Sequence, residues 1–248
     1  MDLSRSTALI TGGATGIGLA LAEILVREGS RVLVCGRRED KLRAAREKLP
    51  AIQARPFDVS DPASRRGLAD WAAERGANVL VNNAGVQRML DFRKGPADLE
   101  AGEDEFRINF EAPVRLTALL LPGLLAKKEA AVVNVSSGLA FVPIAAMPVY
   151  CATKAAVHSF SVSLRQQLRS TPVKVFEAIP PVVDTELDRG ARERRGQVDR
   201  GIPAAQAAAE IAEGLRRDEL EIAIGGAKNL IQAARLNFDQ VFQGMNRS

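Results

Sequence analysis

The chain has 248 residues, of which 46% are hydrophobic and 26% charged, values typical of a chain that buries its own core. Its net charge is +4, but acidic residues follow the basic ones and no run combines arginine with aromatic residues, so we expect no nucleic-acid partner. Two cysteines and one histidine are too few for a disulfide framework or a His/Cys metal site. We also expect no leader peptide and no membrane-spanning segment. Together these features predict a cytoplasmic protein without metal or membrane partners.

The predicted elements are short apolar runs separated by longer amphipathic stretches. The runs predict six buried strands, at 7–11, 31–36, 78–83, 130–137, 173–178 and 220–225. Helical patterns lie between them, for example at 61–76, where Asp61 is the predicted N-cap before Pro62. This alternation predicts an α/β fold: a Rossmann-type doubly wound parallel sheet flanked by helices on both faces, in one domain over residues 1–248.

The first predicted strand runs directly into TGGATGIG, residues 11–18, which precedes a helix rich in leucine and alanine. Gly12, Gly16 and Gly18 would let the backbone turn tightly and approach a pyrophosphate, whose charge the N–H groups of a helix N-terminus stabilise. Strand, glycine turn and helix therefore predict a dinucleotide site. The alternative is an ordinary strand-to-helix turn.

The end of the second predicted strand bears on the choice of dinucleotide. An acid usually stands there to bind the ribose 2′-hydroxyl, but this chain has Gly36, followed by Arg37 and Arg38. A guanidinium can bind a 2′-phosphate through two charge-assisted hydrogen bonds, whereas a carboxylate would repel it. The sequence therefore predicts NADP(H) as the cofactor; the alternative is that the two arginines are mere surface charge.

The only tyrosine, Tyr150, stands four residues before Lys154 in a helix predicted over 149–168, so both side chains lie on one helix face. Bringing a phenol from its usual pKa near 10 to about 7 requires roughly 4 kcal/mol. An ammonium about 4 Å away supplies on the order of 4 kcal/mol at an effective dielectric constant near 20. The pair can therefore act as an acid/base unit, with a chance spacing as the alternative.

Six segments in order resemble the short-chain dehydrogenase/reductase family. They are TGGATGIG, FDVS at 57–60, VNNAG at 81–85, Asn109 in RINFEAP, NVSSG at 134–138 and YCATK from Tyr150. The resemblance covers residues 5 to 190 and implies reduction of a carbonyl compound with NADPH, or oxidation of the corresponding alcohol.

The resemblance also implies roles for individual residues. Ser137 would hydrogen-bond the substrate oxygen, Tyr150 would be the general acid/base, Lys154 would bind the nicotinamide ribose, and Asn109 would hold a water of the proton relay. The neighbours Ser136 and Asn82 are interpreted as structural. The motifs and the resemblance together assign these residues to the cofactor: Gly12, Thr15, Gly16, Ile17, Gly18, Arg37, Arg38, Asp58, Val59, Asn83, Ala84, Gly85, Tyr150, Lys154, Pro180, Val183 and Thr185.

One position departs from the family pattern. Pro181 replaces the glycine of Pro-Gly-x-Val/Ile-x-Thr, which removes a donor and restricts φ. We expect the loop after NVSSG, residues 139–148, and residues 186–202 to build the substrate pocket, with Phe141, Val142 and Ile144 as an apolar lining. The arginine-rich loop over 187–201 would close over the substrate; the alternative is a solvated surface loop. Lys48, Asp98 and the C-terminal 246–248 are interpreted as solvated surface.

Two other functions compete with this prediction. Epimerase or dehydratase chemistry on a retained nicotinamide is usual in relatives that begin with GxxGxxG, whereas this chain has GxxxGxG. A regulator that senses NADPH would not need Ser137, Tyr150 and Lys154 together. The predicted partners are a small-molecule carbonyl or alcohol substrate and further copies of the chain, as a homodimer or homotetramer through helices at 100–125 and 149–168.

Overall fold

A computed structural model describes residues 1–187 and 201–247. Its strands are β1 Thr7–Thr11, β2 Arg31–Gly36, β3 Gln53–Pro56, β4 Val79–Asn82, β5 Ala130–Val135, β6 Val173–Ile179, β7 Val183–Asp184, β8 Ile202–Pro203 and β9 Glu221–Ala223. Its α-helices are α1 Gly16–Arg27, α2 Glu39–Lys48, α3 Pro62–Glu74, α4 Ala97–Glu100, α5 Ala112–Leu125, α6 Pro148–Gln167, α7 Ala204–Arg216, α8 Ala227–Leu236 and α9 Phe238–Met245. A π-helical turn, Arg107–Glu111, leads into α5.

Seven of these strands form one parallel sheet in the order β3-β2-β1-β4-β5-β6-β9. The strand order reverses direction between β1 and β4, and a cleft for ligands opens at such a point, beyond the carboxyl ends of the strands. The predicted Rossmann-type sheet is confirmed. The prediction that residues 1–248 form one domain stays a prediction.

All six predicted strands are present, but the prediction omitted β3. This strand is the edge of the sheet, its sequence is QARP, and three of its four residues are exposed. It pairs with β2, Leu33 standing opposite Gln53. A short polar edge strand lacks the apolar run by which buried strands are recognised.

The core lies on both faces of the sheet, because consecutive strand residues point to opposite sides. Ile10 packs toward the face covered by α1, α2 and α7, whereas Leu9 packs toward the face covered by α3, α5 and α6. This double burial explains why the central strands read as continuous apolar runs. Asp61 caps α3 as predicted, its carboxylate accepting a hydrogen bond of 2.6 Å from the Ser64 amide.

Within the described residues, one helical stretch, 107–125, is long and apolar enough by composition to cross a membrane. In this structure Leu116, Leu120 and Leu124 are buried in the core beside α3 and α6. The stretch therefore acts as a core helix of the sheet's second face.

Candidate active site

A cleft of about 1170 Å³ opens at the carboxyl ends of the central strands. Its wall includes these predicted residues: Gly12, Thr15, Gly16, Ile17, Arg37, Arg38, Asp58, Val59, Asn83, Ala84, Gly85, Ser137, Tyr150, Lys154, Pro180, Val183 and Thr185. Gly18 and Asn109 are the two predicted site residues that do not line it. Segments far apart in sequence thus meet in one cavity.

The glycine turn presents the N-terminus of α1 to this cleft. Gly12 and Gly16 have φ values of +63° and +55°, a region that glycine adopts readily. The N-cap residue Thr15 makes no side-chain hydrogen bond to the helix, so its first amides keep their capacity to bind an anion.

Gly18 has a packing role rather than a place on the cleft wall. A Cβ added there would lie 2.6 Å from Asn83 Nδ2 and 2.7 Å from the Gly12 carbonyl oxygen. The absent side chain is what lets α1 approach the end of β4.

Thr11 joins the glycine turn to the segment after β4. Its hydroxyl accepts hydrogen bonds of 3.0 Å from the amides of Asn83 and Ala84 and donates one of 3.3 Å to the Val81 carbonyl. The Asn83 side chain returns a bond of 2.9 Å to the Thr11 carbonyl. Asn83 and Ala84 are therefore fixed against the turn. Asn82 instead bonds Thr117 and Asn134 in the interior, in keeping with a structural role.

The basic residues after β2 meet acidic partners across the cleft mouth. Arg37 pairs with Glu103, and Arg38 and Lys41 both pair with Glu186, each at 2.9 Å. Hydrogen bonds from Lys41 and then Arg38 lower the pKa of Glu186. A 2′-phosphate would compete with these carboxylates for the same cations.

Asp58 and Val59 form the wall beyond β3. One carboxylate oxygen of Asp58 accepts hydrogen bonds from the amide and hydroxyl of Ser60, at 2.8 and 2.7 Å. Its amide donates to Ser64 Oγ at 2.8 Å. These bonds orient the Asp58 side chain at the edge of the cleft.

Ser137, Tyr150 and Lys154 reach the cleft from two elements. Ser137 follows β5, and its hydroxyl oxygen accepts a hydrogen bond of 3.1 Å from the Leu139 amide, which leaves its proton for another acceptor. Tyr150 and Lys154 lie one turn apart in α6, with Lys154 Nζ 5.6 Å from the centroid of the tyrosine ring. All three are buried in the protein and face the cleft.

Lys154 is held by a main-chain acceptor. Its Nζ donates a hydrogen bond of 2.8 Å to the Val135 carbonyl. Burial lowers the pKa of Lys154 to about 8, and the negative charge of Glu177 opposes that effect. Gly85 leaves space beside the ammonium, since a Cβ there would lie 3.8 Å from Nζ.

Asn109 lies in the π-helical turn, and its side chain supports the backbone beside the cleft. Oδ1 accepts from the Val86 amide, and Nδ2 donates to the Val86 carbonyl, both at 2.8 Å. Nδ2 also donates to Thr153 Oγ1 at 3.1 Å. These three bonds tie α6 and the segment after β4 to the turn. The role of Asn109 in holding a relay water stays a prediction.

The replacement of glycine by Pro181 leaves the following residues at the cleft. Val183 and Thr185 both line it, and Thr185 packs against the glycine turn, 3.0 Å from where a Cβ of Gly16 would be. Val183 begins the short strand β7, which pairs with β8. The predicted arginine-rich loop over 187–201 lies outside the described residues, except for its two ends.

The sequence and the sheet match one known family. A model of the short chain dehydrogenase family matches residues 6–196. The chain belongs to the short-chain dehydrogenase family. The oxidoreductase DltE of Bacillus subtilis strain 168, itself described as uncharacterized, is 46% identical over 99% of this chain and 98% of its own.

Solved structures of short-chain dehydrogenases share the whole fold. One from Burkholderia cenocepacia J2315, in complex with NADP, has a TM-score of 0.86 and 24% identity, and covers 100% of both chains. Another from Burkholderia phymatum, in complex with NAD, has a TM-score of 0.85 and 22% identity over 100% of this chain and 98% of its own. These neighbours include both nicotinamide dinucleotides.

This short-chain dehydrogenase has further cleft residues that its motifs did not reveal. They are Lys41, Gln87, Arg88, Glu103, Leu230 and Met245, among others. Lys41 alone had a signal, because it stands one helical turn after Arg37 and Arg38. The others come from loops and from the C-terminal helices, where no motif marks them.

The predicted substrate wall is corrected in part. Ile144 lines the cleft. Val142 is fully buried, and Phe141 packs against Ile179; neither residue lines the cleft. The interpretation of Asn246 as solvated surface is wrong. Its side chain accepts a hydrogen bond from the Ala145 amide and donates one to the Pro143 carbonyl. This anchor helps to place α9 over the mouth of the cleft.

Proposed function

We propose that this chain is an NADP(H)-dependent oxidoreductase that interconverts a small carbonyl compound and its alcohol, with Tyr150 as the general acid/base. The observation that carries the proposal is the shared cleft: Ser137, Tyr150 and Lys154 line the same cavity as the glycine turn. A regulator that only senses a nucleotide would need the turn but not the three side chains.

The residues present fit a dinucleotide. The uncapped amides of α1 suit a pyrophosphate, and the space beside Gly85 and Lys154 suits a ribose. Arg37, Arg38 and Lys41 offer cations for a 2′-phosphate. This last set favours NADP(H) over NAD(H).

When bound, the nicotinamide supplies or accepts the hydride. Ser137 donates its hydroxyl proton in a hydrogen bond to the substrate oxygen, polarising the carbonyl. Tyr150 gives its phenolic proton to that oxygen during reduction and takes it back during oxidation. The Lys154 ammonium would hold the ribose of the cofactor, and it stabilises the phenolate through its charge.

We also propose that the protein acts in the cytoplasm as a homodimer or homotetramer, without nucleic-acid or membrane partners. Both cysteines are free buried thiols, which suits a reducing compartment. Apolar side chains exposed on α5 and α6 support self-association.

The proposal is tested by Tyr150→Phe. On a substrate found by screening carbonyl compounds with NADPH, we expect turnover to fall about a hundredfold or more, since acid/base catalysis contributes about 10²- to 10⁴-fold. NADPH affinity, measured by calorimetry, should stay within a few-fold of wild type, because the phosphates provide most of the binding. A variant that keeps most of its rate would overturn the assignment of Tyr150. A folded, NADPH-bound wild type with no substrate in the screen would favour the regulator.

A further inference from the structure

A polar cluster of Ser136, His158 and Glu177 adjoins the proposed site, and Ser136 also lines the cleft. Glu177 is fully buried in β6. Ser136 Oγ donates to Glu177 Oε1 at 2.5 Å, and His158 Nδ1 lies 2.8 Å from Oε2. Both carboxylate oxygens of Glu177 therefore have a polar partner, as a buried carboxylate requires.

The cluster adjoins the proposed catalytic residues through backbone and helix. Ser136 immediately precedes Ser137, and the β5 residue before it, Val135, accepts the hydrogen bond of Lys154. His158 lies one helical turn beyond Lys154, as Lys154 lies one turn beyond Tyr150, so the three share one face of α6. Of the cluster, Ser136 lines the cleft, whereas Glu177 and His158 do not.

The same three residue types occur in hydrolases, but their order here excludes that chemistry. A nucleophilic serine needs the imidazole next to it as a base. Here the carboxylate lies between the hydroxyl and the imidazole, and Ser136 is buried.

The charged groups around His158 come from three elements: Glu177 of β6, Arg165 of α6 and Glu221 of β9. Arg165 of α6 and Glu221 of β9 act on it through their charges, and they pair with each other at 3.4 Å. The hydrogen bond to Glu177 raises the pKa of His158, and burial opposes this. The ring of Phe141 lies against the imidazole of His158, with the ring centroids 4.5 Å apart. The His158 side chain is still 28% exposed, so its proton can exchange with solvent.

We propose that Glu177 is a positioning residue for Lys154: its carboxylate, fixed by Ser136 and His158, keeps the lysine a cation at a depth where burial favours the neutral amine. The inference rests on the proposed role of Lys154 at the active site. It also gives His158 a function. As pH rises and the imidazole loses its proton, the full charge of Glu177 acts on Lys154 in the range where the lysine would otherwise deprotonate.

The sign of the effect follows from the charges. Removal of the Glu177 charge leaves the effect of burial unopposed, so the pKa of Lys154 falls below its value of about 8. Removal of the imidazole leaves the carboxylate charge intact, so the lysine pKa stays or rises. Removal of the Glu177 charge and removal of the His158 imidazole should therefore not shift the pKa of Lys154 in the same direction.

The test is the titration of Lys154 in protein without nucleotide, followed by NMR of ¹³C-labelled lysine. The chain has 8 lysines, and the Lys154 signal is identified as the one that is lost in Lys154→Arg. We expect Glu177→Gln to lower the midpoint by about one pH unit or more and His158→Asn to leave or raise it. The control is Glu221→Gln, which removes a neighbouring carboxylate that is 42% exposed and should leave the midpoint unchanged.

An unchanged midpoint in Glu177→Gln, or a fall in both Glu177→Gln and His158→Asn, would overturn the proposal, since lost packing alone predicts such results. If Glu177→Gln does not fold, Lys154→Met gives the reciprocal measurement on the only histidine. Loss of the ammonium should raise the midpoint of His158, and an unmoved midpoint would refute the coupling.

Activity provides a further readout that separates this inference from the proposed function. In Glu177→Gln, alcohol oxidation should be lost at a lower alkaline pH than in wild type, with cofactor affinity at pH 6 little changed. If Tyr150→Phe proves active while the Lys154 midpoint still shifts, the proposed function fails and the electrostatic coupling stands.

Discussion

Gly18 and Gly36 differ in what surrounds their missing side chains. A Cβ at Gly18 would overlap the Gly12 carbonyl oxygen and the side-chain nitrogen of Asn83, whereas a Cβ at Gly36 would meet only Leu42, at 4.0 Å. The first glycine is therefore required by packing. The second leaves room for a side chain at the end of β2, where many dinucleotide sites carry an acid.

We predict that Gly18→Ala destabilises the protein although alanine favours helices. The gain in helix propensity, about 1 kcal/mol, is smaller than the cost of the overlap with fixed backbone, about 1–3 kcal/mol, combined with displacement of Asn83. Urea unfolding should show a lower midpoint. Gly36→Ala is the control, with a midpoint near that of wild type; equal midpoints for both variants would contradict the packing argument.

At the scale of elements, the β2–α2 unit concentrates positive charge at the cleft mouth. Arg37 and Arg38 stand between strand and helix, and Lys41 lies in the first turn of α2. In this structure Glu103 and Glu186 neutralise them in part. A 2′-phosphate would compete with both carboxylates for these cations, so we expect its advantage in binding to be reduced but not abolished.

We expect wild type to bind NADPH at least about tenfold more tightly than NADH, as one charge-assisted hydrogen bond contributes about 1.5–3 kcal/mol. Gly36→Asp combined with Arg37→Ala should reverse the preference, because the new carboxylate binds a 2′-hydroxyl and repels a phosphate. Calorimetric titration with both cofactors measures this. Arg43→Ala, an exposed arginine of the same helix, should leave the ratio unchanged. Equal or tighter NADH binding by wild type would refute the cofactor assignment.

At the scale of the whole molecule, α5 and α6 carry apolar residues that the monomer does not bury. Leu119 and Leu125 of α5 are 43% and 40% exposed, and Val162 of α6 is 42% exposed. Their opposite faces pack in the core beside one another. These two outer faces are the surface that we expect a second copy to cover.

We predict that Leu119→Arg with Val162→Arg reduces the assembly to a smaller species, because two buried unpaired charges are costly at an apolar interface. Light scattering coupled to gel filtration measures the mass. Leu236→Arg is the control, at an 88% exposed site on α8, and should leave the mass unchanged. A monomeric wild type would exclude the predicted homo-oligomer.

Six of the seven strands of the main sheet and the motif residues of the cleft could be predicted from the sequence. Strands buried on both faces appear as apolar runs, and the glycine turn, Gly36-Arg37-Arg38 and the Tyr150–Lys154 spacing each act within a few residues of chain. Features that depend only on neighbouring residues can be predicted from the order of residues in the sequence. The family resemblance adds Ser137 and Thr185, which also line the cleft.

Only the tertiary structure decided what surrounds those residues. The bond between Asn246 and Ala145 joins positions 101 residues apart, and Glu186 reaches Lys41 across 145 residues. Glu177 occupies a strand with an otherwise mostly apolar sequence, and its partners are Ser136, directly after β5, and His158 of α6. No local pattern encodes such pairs, because each depends on how the sheet orders its strands and how closely α6 packs against them. The charge behind Lys154 follows from that packing.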